Sequence, residues 1–351
     1  MADTPGRSLT QDNSLPPVEP PNAAFLVQLF LVPGLIVAII VCVWLAFHWL
    51  AHLGNDPQAY VRTLRRDNEG RWQAALNLAN DLRGPGGGAL KSDETLAREL
   101  GRILTDEMTS GRSGEQSQTL RVYLCRALGE FAIPVAAEPL IAGALATSDT
   151  QTARAAVEAL AVLTSNLLAS NLTFDNSKAV TDAVLAASVN DDVQLRSSAS
   201  FTLGVVGGSG VTERLVELAA DPVDDVRYNA ALGLARLGRT ESLEVFAEML
   251  ALPDMPPANQ ADGAAGPLGQ ADQAQSKRYK RALVVINALR GVALLVDATH
   301  DSPPKNVVDL VNALKQDPVA DVRSNAAALK TKIERVESSN VSPTSVQKPA
   351  G

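Results

Sequence analysis

Three histidines, two cysteines and one run of basic residues hold most of the chemistry that this 351-residue sequence could perform. His48 and His52 stand four apart, the spacing that puts two imidazoles on one helix face and suits a pair of metal or haem ligands. No Glu or Cys lies beside them, and they close a long apolar run, so they read as polar residues of a membrane interface. His300 falls in a loop, ATHDSPP. Cys42 lies inside the apolar run and Cys125 in a later helical stretch; the two are poorly disposed to pair, and no disulfide framework is expected. Cys125 reads as a buried structural thiol rather than a nucleophile. GPGGG at 84–88 lacks the lysine of a phosphate-cradling loop and reads as a flexible linker. These readings assign no catalytic residue, no metal and no cofactor.

The run KRYKR, Lys277 to Arg281, is the densest basic cluster and includes Tyr279. Acidic lipid, RNA or an acidic partner would suit it, against the plainer reading of a solvated helix start. The formal charge of the whole chain is -8. A field of that sign argues against duplex binding, which requires Lys and Arg to replace condensed counterions, so no nucleic-acid partner is expected.

The elements that carry these residues divide at the apolar run. Leu29 to Phe47 contains no charge, with Trp44 and Trp49 at the level of an interfacial aromatic belt. At 1.5 Å per residue it spans about 30 Å, the thickness of a bilayer core. Residues 24–53 are therefore expected to form one membrane helix behind an acidic, Pro-rich tail at 1–23. The tail lacks the basic start of a cleavable signal, and the core is longer than such signals use. Arg7 precedes the run, whereas Arg62, Arg65, Arg66 and Arg71 follow it, so the positive-inside rule assigns the larger part to the cytoplasm. Arg62, Arg65 and Arg66 serve as topology determinants and are compatible with anionic lipid.

Beyond the run the chain repeats itself. DPVDDVRYNAALGLARLG at 221–238 returns as DPVADVRSNAAALK at 317–330. With the Arg as register mark, aliphatic or small residues follow on one helix face, and matches begin at Arg71, Arg121, Arg154, Arg196, Arg227, Arg281 and Arg323. Amphipathic stretches precede most of them, at 136–146, 179–188, 212–220, 242–251 and 306–315. The unit is helix, Asp-rich turn, helix, with a period of roughly 30 to 40 residues once inserted segments are removed. Flexible insertions are expected at 84–92, 110–118 and 253–276, and a disordered tail at 338–351. Low aromatic content, 4%, and abundant Ala, Leu and Val favour close-packed helices throughout.

A helix followed by D-P-x-x-x-V-R-x-x-A-x-x-A-L-G resembles the HEAT repeat, particularly the short kind found in phycobilisome lyases. The resemblance covers roughly residues 57–337 and is strongest at 211–238 and 306–333. It implies an all-α, right-handed α-solenoid of about six to seven two-helix repeats over 54–337, preceded by one transmembrane helix. The second helices would line a concave surface. In that frame Asp-Pro ends the first helix of a unit. Asp225 and Asp321 would cap or electrostatically favour the next helix, and Arg196, Arg227 and Arg323 would be structural, pairing with the Asp of a neighbouring unit. HEAT-type iron hydroxylases build their metal site from His-Glu motifs, and no His-Glu pair occurs.

The functional expectation is a non-enzymatic, membrane-held scaffold that binds partner proteins. Its contact edge is expected at the positions just after the repeated Arg: Ser197, Ser198, Tyr228, Asn229, Ser324 and Asn325. A lyase-like or chaperone-like accessory subunit handling a cofactor or client, and a self-assembling envelope protein, are the alternatives.

Overall fold

A computed structural model describes residues 23–52, 57–66, 68, 70–146, 148–254 and 269–341. The chain divides into two compact units, Met1–Asp56 and Pro57–Gly351. In the first, α1 runs from Ala23 to His52. Phe30, Ile40, Trp44 and Phe47 are all exposed along it. A helix satisfies its own backbone, so an apolar surrounding suits this one, and the segment Leu29–Phe47 is long and apolar enough to cross a membrane.

The second unit is helical throughout, with no strand among its described residues. Its helices are α2 (Pro57–Leu64), α3 (Arg71–Arg83), α4 (Glu94–Thr109), α5 (Glu115–Gly129), α6 (Ala137–Ala144), α7 (Thr150–Ala169) and α8 (Ser177–Ala187). They continue as α9 (Val193–Val206), α10 (Val211–Leu218), α11 (Asp224–Arg236), α12 (Leu243–Leu250), α13 (Gly269–Thr299), α14 (Lys305–Leu314) and α15 (Ala320–Val341). The seven register arginines fall one to each odd-numbered helix from α3 to α15.

Packing follows the same alternation. Each odd-numbered helix from α3 onward packs on the next odd one, and α2, α4, α6, α8 and α10 form a second series of neighbours, with α12 on α14. Each even-numbered helix also packs on the odd one that follows it. The reason is burial: neither helix of a pair can hide its apolar stripe alone, so pairs stack. One core cluster runs from Val61 to Leu234 and a second from Tyr228 to Ile333. They meet in α11, which gives Val226, Ala230 and Leu234 to the first and Tyr228, Ala231 and Ala235 to the second. Backbones touch where side chains vanish: a Cβ on Gly204 would lie 2.2 Å from the Gly233 Cα. The α13 segment Gln275–Thr299 is also long and apolar, but Val285, Leu289, Val292 and Val296 are buried in the second cluster, so part of its apolar surface is covered by the chain itself.

A ladder of charges ties successive pairs together. Arg71 reaches Glu107 of α4 at 2.9 Å, Arg121 reaches Asp149 before α7 at 2.9 Å, and Arg196 reaches Asp221 before α11 at 2.8 Å. Arg281 of α13 lies 2.6 Å from Asp317 before α15. Several of these arginines also hold their own turn: the Nη1 atoms of Arg196, Arg227 and Arg323 donate to the carbonyls of Asn190, Asp221 and Asp317. Arg227 finds Asp224 and Glu248 rather than an Asp of the next turn.

The structure differs from expectation in several particulars. Asp225 and Asp321 do not cap with their side chains; they are exposed in the first turns of α11 and α15, where only their charge favours the helix. The Asp of Asp-Pro instead closes a turn just ahead of each helix, since Asp221 Oδ1 accepts from the Val223 amide and Asp317 Oδ1 from the Val319 amide, each at 2.9 Å. The stretch 84–92, expected as a flexible insertion, is a turn leading into a short 3-10 segment, Leu90–Ser92, with Gly87 pressed against the Leu82 carbonyl. Helix α5 begins inside 110–118 and α13 inside 253–276, while 255–268 lies outside the described residues. Helix α15 extends to Val341 rather than stopping at 337; of the tails expected at 1–23 and 338–351, residues 1–22 and 342–351 lie outside the described residues.

Candidate docking surface

The expected contact edge is largely taken up in holding helices together. Tyr228 is only 8% exposed, and its hydroxyl donates to Glu248 Oε1 at 3.1 Å. Burial first, and the Glu248 charge second, push its pKa up to about 12. Asn229 Nδ2 donates to the Ser197 carbonyl and hydroxyl at 3.2 and 2.9 Å, joining α11 to α9. Ser198 donates to Glu158 of α7 at 2.9 Å. Asn325 is half-buried and donates to the Asp321 carbonyl, which leaves Ser324 as the fully exposed member of the set. The edge is thus corrected: Tyr228 points into the second core because α11 is buried on two faces.

The open surface lies one turn and more further along the same helices. A groove of about 570 Å³ is formed by α7, α9 and α11. Val162 and Leu168 of α7 are 38% and 60% exposed at its side, and Phe201 and Val205 of α9 are half-buried in it. Gly204 also borders it, and its missing side chain lets α11 close onto α9. Arg236 of α11 lays its guanidinium 4.5 Å from the centre of the Phe201 ring. Neighbouring apolar atoms lower its pKa from the ordinary arginine value, and it remains a cation. It has no carboxylate partner among the described residues, whereas Arg154, Arg196 and Arg227 on the same three helices each pair with an acid.

A second aromatic–cation group sits on α3 and α5, where Trp72 stacks on Tyr123 at 6.1 Å and Arg126 lies 5.2 Å from the Tyr123 centroid. Beside it Glu107, almost wholly buried, is held by Arg71, Arg112 and the Ser117 hydroxyl. Burial would raise this carboxyl, but the Ser117 bond and the Arg71 and Arg112 charges outweigh it and keep its pKa low. That is the pattern of a structural ion cluster.

Of the basic run, Arg278 pairs with Asp254 at 3.0 Å and Arg281 with Asp317, so Lys277, Tyr279 and Lys280 are what it exposes. Arg62, Arg65 and Arg66 are exposed on and after α2, with Arg65 paired to Glu99. Cys125 is buried, and burial with the Asp149 charge raises its pKa to about 12, which leaves it an inert thiol. His300 follows α13 with a positive φ of 57°. The side chains of His48 and His52 lie outside the described residues, among which no group of three or more His, Cys, Asp or Glu is arranged to hold a metal ion.

No family model matches the chain. No curated protein matches it either. Among solved structures, an engineered protein is similar at 18% identity, over 80% of this chain and 98% of its own, with a TM-score of 0.40. A second engineered protein is 17% identical over 82% and 83%, with a TM-score of 0.39. Human deoxyhypusine hydroxylase in complex with glycerol is 18% identical over 80% and 96%, with a TM-score of 0.31.

Proposed function

We propose that this chain is a non-enzymatic scaffold, an α-solenoid of HEAT-like repeats that α1 tethers to a membrane and that captures a partner protein on its odd-numbered helices. The observation that carries the reading is the groove on α7, α9 and α11, an apolar trough with an arginine set over an aromatic ring. The repeat reading is supported by the seven register arginines, one in each odd-numbered helix, and by the charges that link successive pairs. The membrane reading is supported by the exposed apolar length of α1, and the cytoplasmic assignment of the larger unit by the arginines at 62, 65, 66 and 71. Anchoring confines the docking surface to two dimensions and raises its effective concentration for partners at the same membrane. Arg62, Arg65 and Arg66 would add anionic-lipid contact.

The test is affinity capture of the detergent-solubilised full chain, with mass spectrometry of what stays bound, against residues 1–53 alone. A partner retained in proportion to the bait only by the full chain supports the scaffold. Recovery of nothing but further copies of this chain would replace it with self-assembly.

A further inference from the structure

We infer that the groove on α7, α9 and α11 binds a partner-protein segment that sets a single acidic side chain between apolar ones. The inference rests on the scaffold reading and deepens it by naming the chemistry of the partner.

The apolar half of the argument is the trough itself. Val162, Leu168 and Val205 present aliphatic surface that the fold leaves in water. Its volume, about 570 Å³, lies within the range that binding pockets occupy, roughly 300–1,000 Å³. The polar half is Arg236. The guanidinium carbon sits over the Phe201 ring, 4.5 Å from its centre, and its N–H groups have no carboxylate partner among the described residues. That is unusual here, because acidic residues outnumber basic ones, 39 to 31, and the other arginines of these helices are paired. A planar, pre-oriented guanidinium in an apolar setting matches a carboxylate, to which it can donate two parallel bonds.

The rest of the surface limits how acidic the ligand can be. Glu158 lines the same groove, already engaged by Arg154 and the Ser198 hydroxyl, and the chain as a whole is negative. A run of carboxylates would be repelled; one acid among leucine-like residues gains the Arg236 contact and the apolar burial together. A phosphate backbone, with charge at every nucleotide, fits this setting poorly.

The test uses the full chain in detergent micelles, panned against a library of random short peptides displayed on phage. Enriched sequences are then synthesised, labelled and titrated by fluorescence anisotropy. The expected winners carry one Asp or Glu within a helical turn or two of Leu, Ile or Phe. Arg236→Gln and, separately, Val162→Glu should each weaken binding about tenfold, equivalent to about 1.4 kcal/mol. Both substitutions are on exposed side chains, and unchanged thermal melts verify the fold. Absence of enrichment, winners that are basic or wholly apolar, affinities unchanged in both variants, or displacement of the peptide by oligothymidylate would overturn the inference. Cellular capture separates the two levels: a captured partner indifferent to both variants removes the groove and leaves the scaffold, whereas peptide binding without any captured partner does the reverse.

Discussion

The Arg281–Asp317 pair tests whether the ladder holds successive helix pairs together. The two side chains are 9% and 2% exposed, with Nη1 and Oδ2 2.6 Å apart in an ion pair that lacks hydrogen-bond alignment at Nη1, and Arg281 Nε donates to the Leu252 carbonyl. At an effective dielectric of 20 the gross attraction at that distance is about 6 kcal/mol, much of it spent on removing both charges from water. Removing one partner leaves the other charge buried and uncompensated, at a cost of about 3–5 kcal/mol. Arg281→Met and Asp317→Asn should each incur it, the Asn retaining an acceptor for the Val319 amide. The double variant buries no charge and should cost clearly less than either single. The assay is native-state hydrogen exchange, because a repeat array does not unfold as one unit. Amides of α14 and α15 should lose protection by about a hundredfold or more in the single variants and regain most of it in the double. Additive losses would show that the pair is not coupled, and the ladder would lose its energetic meaning.

The remaining predictions concern close packing, acid and the buried thiol. Gly204→Ala brings a Cβ to 2.2 Å from the Gly233 Cα, so α9 and α11 must part; hydrogen exchange of their amides should show a loss of about 1–3 kcal/mol. Asp149 and Asp221 are subject to burial that would raise their pKa values, but hydrogen bonds from Thr152 and Arg196 and the Arg121 and Arg196 charges outweigh it and hold them low, as with Glu107. A lowered folded pKa gives stability that is full above the unfolded value of about 4 and is lost as pH falls through the folded value. Urea midpoints should therefore hold level from about pH 7 to 5 and fall below about pH 4, and the fall should shrink in Asp221→Asn. In a Cys42→Ser background, Cys125 should resist maleimide at about pH 8 until the chain is unfolded; prompt labelling would contradict its burial.

The repeat was legible because its marks are contacts within a unit or with the next one: the Arg that ties a turn, the Val that enters the core, the Asp that holds the following amide. Helix α4 buries Leu96, Leu100, Ile103 and Leu104 on one face, but the glycine-rich and polar stretches on both sides of it read as insertion and hide its pattern. A single apolar stripe per helix sets Tyr228 on the contact edge, whereas α11 serves two core clusters and buries it. The groove was illegible for a different reason. Phe201 and Arg236 stand 35 positions apart and meet only because Gly204 and Gly233 let two helices touch. An aromatic and a valine on the outward phase of α9, at 201 and 205, were the available signal.

The most direct measurement of the docking claim is site-specific photo-crosslinking in intact membranes, with the reactive group at Leu168 beside the groove or at Val216 on α10. Both positions are exposed, at 60% and 41%, so access does not distinguish them. The account predicts one discrete crosslinked partner from Leu168, none from Val216, and loss of the product with Arg236→Gln. Equal crosslinking from both positions, or a Leu168 product indifferent to Arg236, would contradict it.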